Sequence, residues 1–425
     1  RSGCERLLVD PLRKACVPMT RFVLAWPLLM MIVVPVGGGE PADGVPLRLR
    51  LVDEQSGETL PGIVRVTRAD GSPVELGELV NRGTGISGRP ELHSWWVLDR
   101  PTTVRVPAER LIVEAQAGLE TARARLAYDA GATEDRELPV PLRRFYDARQ
   151  RGYVAGNTHL HLQKLSRKDA DRYLRSVPLA DGLDIVFLSY LERAIADSEY
   201  TSNHYTPDDL ARLSGEHLHF GNGEEHRHNF GAHGEGYGHI LLLDIPYLVQ
   251  PVSVGPGITH AGTDAPPLQA AIDKTREVGG TVVWAHNLFG LEDIPNWLTG
   301  RVDANNIFDG GSRGSYRHSF YRYLNIGLKV PFSSGTDWFI YDYSRVYAAT
   351  DNPLTPKEWL AELAAGRSYI TNGPLLEFTI DDAAVGDELR LDGPQQLTIR
   401  GAAVGRADFK RLELVKNGEV IAKAE

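Results

Sequence analysis

The sequence predicts an α/β fold: a distorted α/β barrel, preceded by a β-sandwich and followed by the start of another β-rich module. Residues 45–143 contain short runs of alternating apolar and polar side chains separated by turn signals, which is typical of a sandwich. From about residue 150, apolar strands interleave with helices, as they do in α/β barrels. We therefore expect a sandwich over residues 43–145, a barrel over residues 150–372 and a β-rich module over residues 373–425.

The N-terminal segment has the layout of a secretory signal. Met19 is followed by a basic residue, the apolar run 22–36 and a small-residue exit. The run is shorter than the roughly 18 apolar residues that a spanning helix needs, and two prolines interrupt it, which disfavours a retained membrane anchor. We expect a signal peptide over residues 19–39, export to the periplasm or cell exterior, and no stable membrane insertion after cleavage. Residues 1–18 are interpreted as an upstream extension from a misplaced start.

Composition limits both the partners and the ligands of any metal. Both cysteines and all three methionines precede residue 32, so the exported chain has no sulfur and must bind metal through nitrogen and oxygen. After residue 39 the chain has 41 basic and 54 acidic side chains, a net charge of −13. This balance argues against nucleic acid and anionic membranes as partners. The oligomeric state is left open.

Local patterns predict the individual elements. In the sandwich, "PLRLRLV" alternates leucine with arginine, and Asp70-Gly71 marks a turn after "GIVRVTR". We find no catalytic cluster there and expect an accessory or docking module. In the barrel, apolar residues recur at helical spacing from Leu268 to Val278, two glycines end the helix, and "TVVWA" follows as a buried strand. Other candidate strands are "YVAGNTHLHL", "GLDIVFLSYL", "HILLLDI" and "LKVPFSSGTD".

A last helix and further strands are predicted near the C-terminus. The segment "TPKEWLAELAAG" opens at Thr355 with Glu358 three residues later, the spacing of a capping box. Alternating strands then return in "RSYITNGPLLEFTIDD", "QQLTIRG" and "KRLELVKNGEVIA". Because the sequence ends among them, we expect the last module to be incomplete or small.

Clustered histidines and carboxylates predict a metal site. His159 and His161 lie two positions apart in a predicted strand, so both imidazoles point to one face. The segment "HLHFGNGEEHRHNFGAHGEGYGHI" adds further histidines and glutamates, and His286 and Asp337 close two later strands. A lone histidine is usually a structural polar residue, but this clustering at strand ends favours metal. Neutral imidazole and carboxylate suit zinc, manganese or ferrous iron, and a pair of such ions makes water nucleophilic for hydrolysis.

The order of these segments resembles the PHP-domain (polymerase and histidinol phosphatase) superfamily of metallohydrolases, specifically the CehA/McbA branch named after carbaryl hydrolase. The resemblance covers about residues 45–380. It is carried by "RRFYDARQRGYVAGNTHLHL", "GEE", "GYGHILLL", "VVWAHN", "SSGTDW" and "GRSYITNGPLLEF", in that order. It implies a distorted (β/α)7-type PHP barrel and metal-dependent hydrolysis.

The resemblance also implies a ligand set for two divalent ions, either zinc, manganese or iron. The six ligands are His159, His161, Glu225, His239, His286 and Asp337. One ion is expected on His159, His161, Glu225 and Asp337, and its neighbour on Glu225, His239 and His286. Glu225 is the expected bridge, with Glu224 as its competitor. The catalytic residues implied are Glu225, His286 and Asp337.

Two departures from the family pattern bear on the number of ions. The chain reads "SYL" at residues 189–191 where the family reads "TDH", and "TDWF" at residues 336–339 where the family reads "SDAH". In trinuclear relatives the missing histidines belong to the third metal. The departures therefore favour a binuclear centre.

Two arginines are candidate substrate-binding residues, because a guanidinium can bind phosphate or carboxylate with two parallel hydrogen bonds. They are Arg313, in a glycine-rich loop, and Arg345 in "DYSRVY". A solvated loop charge or a structural ion pair is an equal alternative for each. The substrate is expected to be a small molecule or a glycan-type compound.

The sequence thus predicts an exported hydrolase that uses a water activated by two metal ions on an ester, amide, carbamate or phosphoester bond. A second hypothesis is a secreted glycan- or partner-binding protein whose metal site is structural and catalytically degenerate. A third is an adhesion or assembly protein of the cell envelope, in which the β-modules are the functional part.

Overall fold

Two β-sheets form from the alternating runs that begin at Val45. Their strands, within the described residues, are β1 (Val45–Asp53), β2 (Gly62–Arg68), β3 (Val80–Asn81), β4 (Trp96–Leu98), β5 (Thr102–Val106), β6 (Arg110–Gln116), β7 (Ala124–Asp129) and β8 (Glu137–Leu142). One sheet has the order β5-β1-β8 and the other β3-β4-β2-β6-β7. Leucines of β1 and valines of β2 and β6 share one buried core, so this region is a two-sheet sandwich.

This computed structural model describes residues 44–132, 136–192, 200–229, 236–255, 267–285, 290–309, 312–313, 320–350 and 354–425, with only the backbone at 308, 312, 313, 320 and 322. The predicted upstream extension and signal peptide, residues 1–39, therefore lie outside the described residues.

A third, larger sheet follows the sandwich. Its twelve described strands are β9 (Tyr153–His161), β10 (Ile185–Tyr190), β11 (His219–His228), β12 (Gly238–Leu243), β13 (Ser253–Val254), β14 (Thr281–Ala285), β15 (Ala304–Asp309), β16 (Ser312–Arg313), β17 (Phe332–Ser334), β18 (Asp337–Trp338), β19 (Arg345–Ala349) and β20 (Ser368–Thr371). Nine of them form the path β16-β15-β14-β12-β11-β10-β9-β19-β20. Strand β13 pairs with β11, β17 with β15, and β18 with β9.

Six helices connect strands of the larger sheet in the described part of the chain. They are α1 (Arg167–Ala180), α2 (Pro207–Leu213), α3 (Leu268–Glu277), α4 (Asp293–Leu298), α5 (Phe320–Asn325) and α6 (Pro356–Ala365). The helical face predicted from Leu268 onward is buried, and the N-cap at Thr355 is confirmed because its hydroxyl accepts from the Glu358 backbone N–H. None of these described helices is long and apolar enough to cross a membrane.

The predicted (β/α)7-type PHP barrel is wrong. Of the described residues, 39% are in strands and 19% in helices, and the larger sheet is a nearly closed, barrel-like mixed sheet rather than a ring of parallel strands with helices outside. Strands β9, β10 and β11 are parallel, but β11–β12, β12–β14, β9–β19 and β19–β20 are antiparallel. Residues 229–237 join β11 to β12, and so short a segment leaves no room for the crossover of a dozen or more residues that a parallel pair requires.

The C-terminal region consists of two two-stranded sheets. They pair β21 (Leu375–Ile380) with β22 (Ile399–Val404), and β23 (Leu412–Lys416) with β24 (Glu419–Ala424). The strands predicted from alternation are present, but most of their side chains are exposed or only half-buried.

One hydrophobic cluster joins the sandwich to the larger sheet. Ile63 and Trp95 of the sandwich region belong to the same buried cluster as Tyr173 and Leu174 of α1. The sandwich therefore shares a core with the element that connects β9 to β10.

Candidate metal centre

The carboxyl end of β9 places two imidazoles together. His159 and His161 alternate with Leu160 along the strand, so their rings lie on one face, and both side chains are fully buried. Their Nε2 atoms are 2.9 Å apart. Two metal ligands at about 2.0–2.1 Å from one ion can be no more than roughly 4 Å apart, so this spacing allows both rings to bind the same cation.

Two carboxylates complete the cluster. Glu225 reaches it from β11, with Oε2 3.0 Å from Nε2 of His161. Asp337 begins β18, and its Oδ1 lies 3.5 Å from Nε2 of both histidines. One ligand atom from each of the four residues lies within 4.8 Å of the others, and all four are buried. The structure thus brings together the four residues that the family resemblance assigns to one ion.

Hydrogen bonds on the far side of each ring set which nitrogen faces the cluster. Nδ1 of His159 lies 2.8 Å from Oδ2 of Asp309, and Nδ1 of His161 lies 2.9 Å from the carbonyl oxygen of Ser189. Both partners accept hydrogen bonds, so each Nδ1 carries a proton and each ring turns its Nε2 toward the cluster. Such partners orient metal-binding histidines and raise their basicity.

A buried polar network holds Asp309 in turn. Asn306 donates from Nδ2 to Oδ2 of Asp309 at 2.8 Å, and its Oδ1 accepts from the Thr158 hydroxyl at 3.1 Å. Thr158 also lies 3.0 Å from the Ser333 hydroxyl. This network links β9, β15 and β17 behind His159, so the orientation of the ring is fixed by three strands.

The donor set fits a divalent cation. Two lone pairs facing each other at 2.9 Å repel unless a proton or a cation lies between them. Oδ1 of Asp337 is buried and has no hydrogen-bond partner within the described part of the chain, although a buried carboxylate oxygen normally has one. Nitrogen and oxygen ligands of this kind suit zinc, manganese or iron.

Charges around the cluster shift two pKa values in opposite directions. Burial disfavours a charged His159, but Asp309 and Asp337 outweigh burial and raise its pKa well above the ordinary value. Burial also disfavours ionised Glu225, yet Arg227 and the two histidines outweigh it and hold the pKa of this carboxyl well below the ordinary value. In the metal-free protein the cluster therefore carries a proton that a bound cation would displace.

Glu225 lies between two groups of ligands. Its Oε2 faces His161 and is also paired with Arg227, whereas its Oε1 lies 3.2 Å from Nδ1 of His239. Glu224, its predicted competitor, points to the other face of β11, where its Oε1 is 3.3 Å from His226 and its Oε2 accepts from the Val249 backbone N–H. The arrangement places Glu225, and not Glu224, beside the cluster.

The remaining predicted site residues are placed elsewhere or lie outside the description. His286 lies outside the described residues, and only the backbone of Arg313 is described. Arg345 is buried at the start of β19, where its guanidinium donates to the backbone carbonyls of Asp181 and Gly182. These are the contacts of a structural arginine, so its placement gives the substrate-binding prediction no support.

An aromatic pair borders the cluster. The Trp338 ring is half-buried, and its centroid lies 5.2 Å from the His161 ring. Tyr200 meets Trp338 edge-on, also at 5.2 Å. When "TDWF" is aligned with the family's "SDAH", Phe339, and not Trp338, takes the place of the histidine.

Sequence reasoning missed Asp309 and Arg227. Asp309 ends β15 in "NNIFDGG", and a polar residue at the carboxyl end of a strand was the signal that could have found it. Arg227 lies two positions after Glu225 on the same strand, and the spacing of two could have placed both on one face.

Comparisons with known proteins do not assign a function to this site. No protein-family model matches the chain, and no curated protein matches its sequence.

Proposed function

We propose that this chain is an exported, metal-dependent hydrolase that cleaves an ester, amide, carbamate or phosphoester bond. The observation that carries the proposal is the buried quartet of His159, His161, Glu225 and Asp337, whose ligand atoms lie within 4.8 Å of one another. When bound, divalent ions would polarise the substrate oxygen and make a water molecule nucleophilic.

The proposal includes two ions. The quartet would hold the first, and Glu225, His239 and His286 would hold the second, with Glu225 as the bridge. Support for this division comes from Glu225 itself, because its two oxygens face different histidines. Zinc, manganese and iron are the candidate ions because every ligand is nitrogen or oxygen.

The protein's own groups prepare the ligands. Asp309 and the Ser189 carbonyl accept from the Nδ1 atoms of the two histidines, which turns both Nε2 atoms toward the cluster. Arg227 stabilises the ionised form of Glu225. Burial of all four ligands keeps bulk water away, which strengthens each electrostatic interaction at the site.

The resemblance to the CehA/McbA branch of the PHP superfamily supports the same reaction class. The proposed substrate is a small molecule or a glycan-type compound, and the proposed location is the periplasm or the cell exterior. The order of the motifs and the signal-like residues 19–39 are the grounds for these two assignments.

Elemental analysis of the purified protein and of three variants tests the proposal. We expect about two metal equivalents and hydrolysis of a nitrophenyl ester or phosphoester in the wild type. His159→Ala and Asp337→Ala should lose metal and activity together. His217→Ala is the matched control, because this histidine is exposed and lies beside Glu216 instead of the cluster.

Two outcomes would count against the proposal in different ways. Retention of metal by both His159→Ala and Asp337→Ala would refute the ligand assignment. If both variants lose metal but the wild type hydrolyses no ester, carbamate, amide or phosphoester, a binding protein with a structural metal site is favoured.

A further inference from the structure

The residues around Trp338 adopt an unusual backbone conformation. Asp337 has φ 58° and Phe339 has φ 56°, both in the left-handed region that residues other than glycine rarely occupy. Between them, Trp338 pairs in register with His161 of β9. Such residues persist only where surrounding structure fixes them. The segment that carries Asp337 is therefore held in this conformation by its surroundings.

An arginine of the sandwich region reaches this segment. Arg82, which follows β3, is buried and donates from Nη1 to the backbone carbonyl of Ile340, three residues after Asp337. Its Nε and Nη2 donate to the two oxygens of Asp181 at 3.0 and 2.6 Å. Because Asp181 caps the C-terminus of α1, the guanidinium is held in one orientation by a bidentate pair while it binds the segment.

Three further contacts from the sandwich region fall on the same short segment. Gly85 lies so close to Phe339 that a Cβ at residue 85 would overlap the aromatic ring. Gln116 donates to the Tyr343 hydroxyl at 2.7 Å. The Arg89 guanidinium lies over the Tyr341 ring, 4.6 Å from its centroid. Four residues of the sandwich region therefore contact residues 339–343: Arg82, Gly85, Arg89 and Gln116.

The larger sheet and helix α1 bind the other side of the segment. The Phe339 N–H donates to the His161 carbonyl at 3.0 Å, and the Ile340 N–H donates to the Tyr173 hydroxyl at 2.8 Å. Ile340 is thus bonded through its N–H to α1 and through its carbonyl to the sandwich region. The chain immediately after Asp337 is clamped between the two.

We propose that the N-terminal sandwich is a positioning element of the metal centre, which clamps residues 339–343 and so holds Asp337 in its left-handed, ligand-presenting conformation. The proposal rests on the proposed role of Asp337 as a metal ligand. Arg82 and Gly85 are its principal positioning residues. The sandwich is then a structural part of the site, in place of the accessory or docking module that its sequence predicts.

A pair of glycine substitutions tests the clamp. Gly85→Ala introduces a methyl group against the Phe339 ring at φ +77°. Gly71→Ala introduces the same backbone strain at φ +86° in the same module, but nothing lies within 4 Å of its Cβ position. We expect Gly85→Ala to weaken Co²⁺ binding by about 10- to 100-fold, as loss of outer-shell support typically does. Gly71→Ala should leave the Co²⁺ affinity within about twofold of the wild type.

A second, independent pair removes the arginine contact without leaving either Arg82 or Asp181 as an unpaired buried charge. Arg82→Met combined with Asp181→Asn deletes the donor to Ile340 and neutralises both partners. Arg65→Met combined with Glu114→Gln removes the Arg65–Glu114 pair, which joins β2 to β6 inside the sandwich. Weaker Co²⁺ binding in the first double variant alone is the expected result. The proposal would be overturned if, in each pair, the test variant and its control bind Co²⁺ with equal affinity. This holds whether that affinity matches the wild type or is weakened equally in both.

Hydrogen exchange separates this proposal from the metal-dependent function. In the metal-free protein we expect amides of residues 337–343 to exchange faster in Gly85→Ala than in Gly71→Ala, because the clamp acts on the backbone whether or not a cation binds. Unchanged exchange would refute the clamp. If the wild type binds no Co²⁺ but the exchange difference is present, the clamp stands and the metal proposal fails.

Discussion

At the residue scale, the properties of the candidate centre depend on the groups behind the ligands. His159 presents its Nε2 to the cluster because Asp309 and Asn306 hold its Nδ1 side, and Glu225 stays ionised because Arg227 is paired with it. None of these three supporting residues is a member of the quartet. Their effects can be measured separately from those of the ligands.

Asp309→Asn should weaken metal binding without removing a ligand. The amide replaces a charged acceptor of the His159 Nδ1 proton with a neutral one, which lowers the basicity of the ring. We expect a loss of about 10- to 100-fold in Zn²⁺ or Co²⁺ affinity, measured by competition with a chelator. Asp303→Asn is the control, because Asp303 precedes the same strand and bonds the Val282 N–H and Arg276 away from the cluster. An unchanged affinity in Asp309→Asn would contradict the assigned role.

The raised pKa of His159 predicts a pH-dependent stability of the metal-free protein. Burial opposes the charged ring, but Asp309 and Asp337 raise the pKa well above 6.5. A pKa that is higher in the folded state than in the unfolded state stabilises the fold fully at pH values below the unfolded-state pKa. This stabilisation is lost as the pH rises through the folded-state pKa. The free energy of unfolding should therefore fall as the pH rises above 6.5. Denaturant titrations across this range check the trend, which should be absent in His159→Gln.

At the element scale, the sequence predicted apolar strands well and missed the polar one. β9, β10, β12 and β14 were found from their apolar runs, whereas the histidine-rich segment gave no strand pattern, although His219–His228 forms β11. Its residues are buried on both faces, so polar side chains occupy positions where alternation would need apolar ones. Asp309, the partner of His159, lies 150 residues away in the sequence, a separation that local patterns do not encode.

A glycine in the turn before β18 is predicted to be essential for the shape of the site. A Cβ on Gly335 would overlap the backbone and Cβ of His159. Gly335→Ala should therefore displace β9 at its ligand-bearing end, lower the free energy of unfolding by about 1–3 kcal/mol and reduce metal content. Elemental analysis and denaturant unfolding measure the two effects.

Gly215→Ala is the control for this substitution, because nothing lies within 4 Å of its Cβ position. Full metal content in Gly335→Ala would show that the turn can move without disturbing His159.

At the scale of the whole molecule, the architecture of the barrel could not be predicted from the sequence. The change at residue 150 marks the start of the larger sheet, and β9 begins at Tyr153. The error came from assigning the apolar runs to the strands of a distorted α/β barrel. Strand direction depends on which strands become neighbours, and single runs do not specify their neighbours.

The shared core of the sandwich and the larger sheet predicts that they unfold together. Ile63 and Trp95 pack in the same cluster as Tyr173 and Leu174, and the buried Arg82–Asp181 pair crosses between the two regions. Separating the regions would expose the apolar surface of this shared cluster to water, at a cost of about 25 cal/mol per Å². Calorimetry should therefore show one transition, with a ratio of calorimetric to van't Hoff enthalpy of about one. In Arg82→Met the single transition should move to lower temperature as a whole, whereas two resolved transitions in the wild type would contradict a common core.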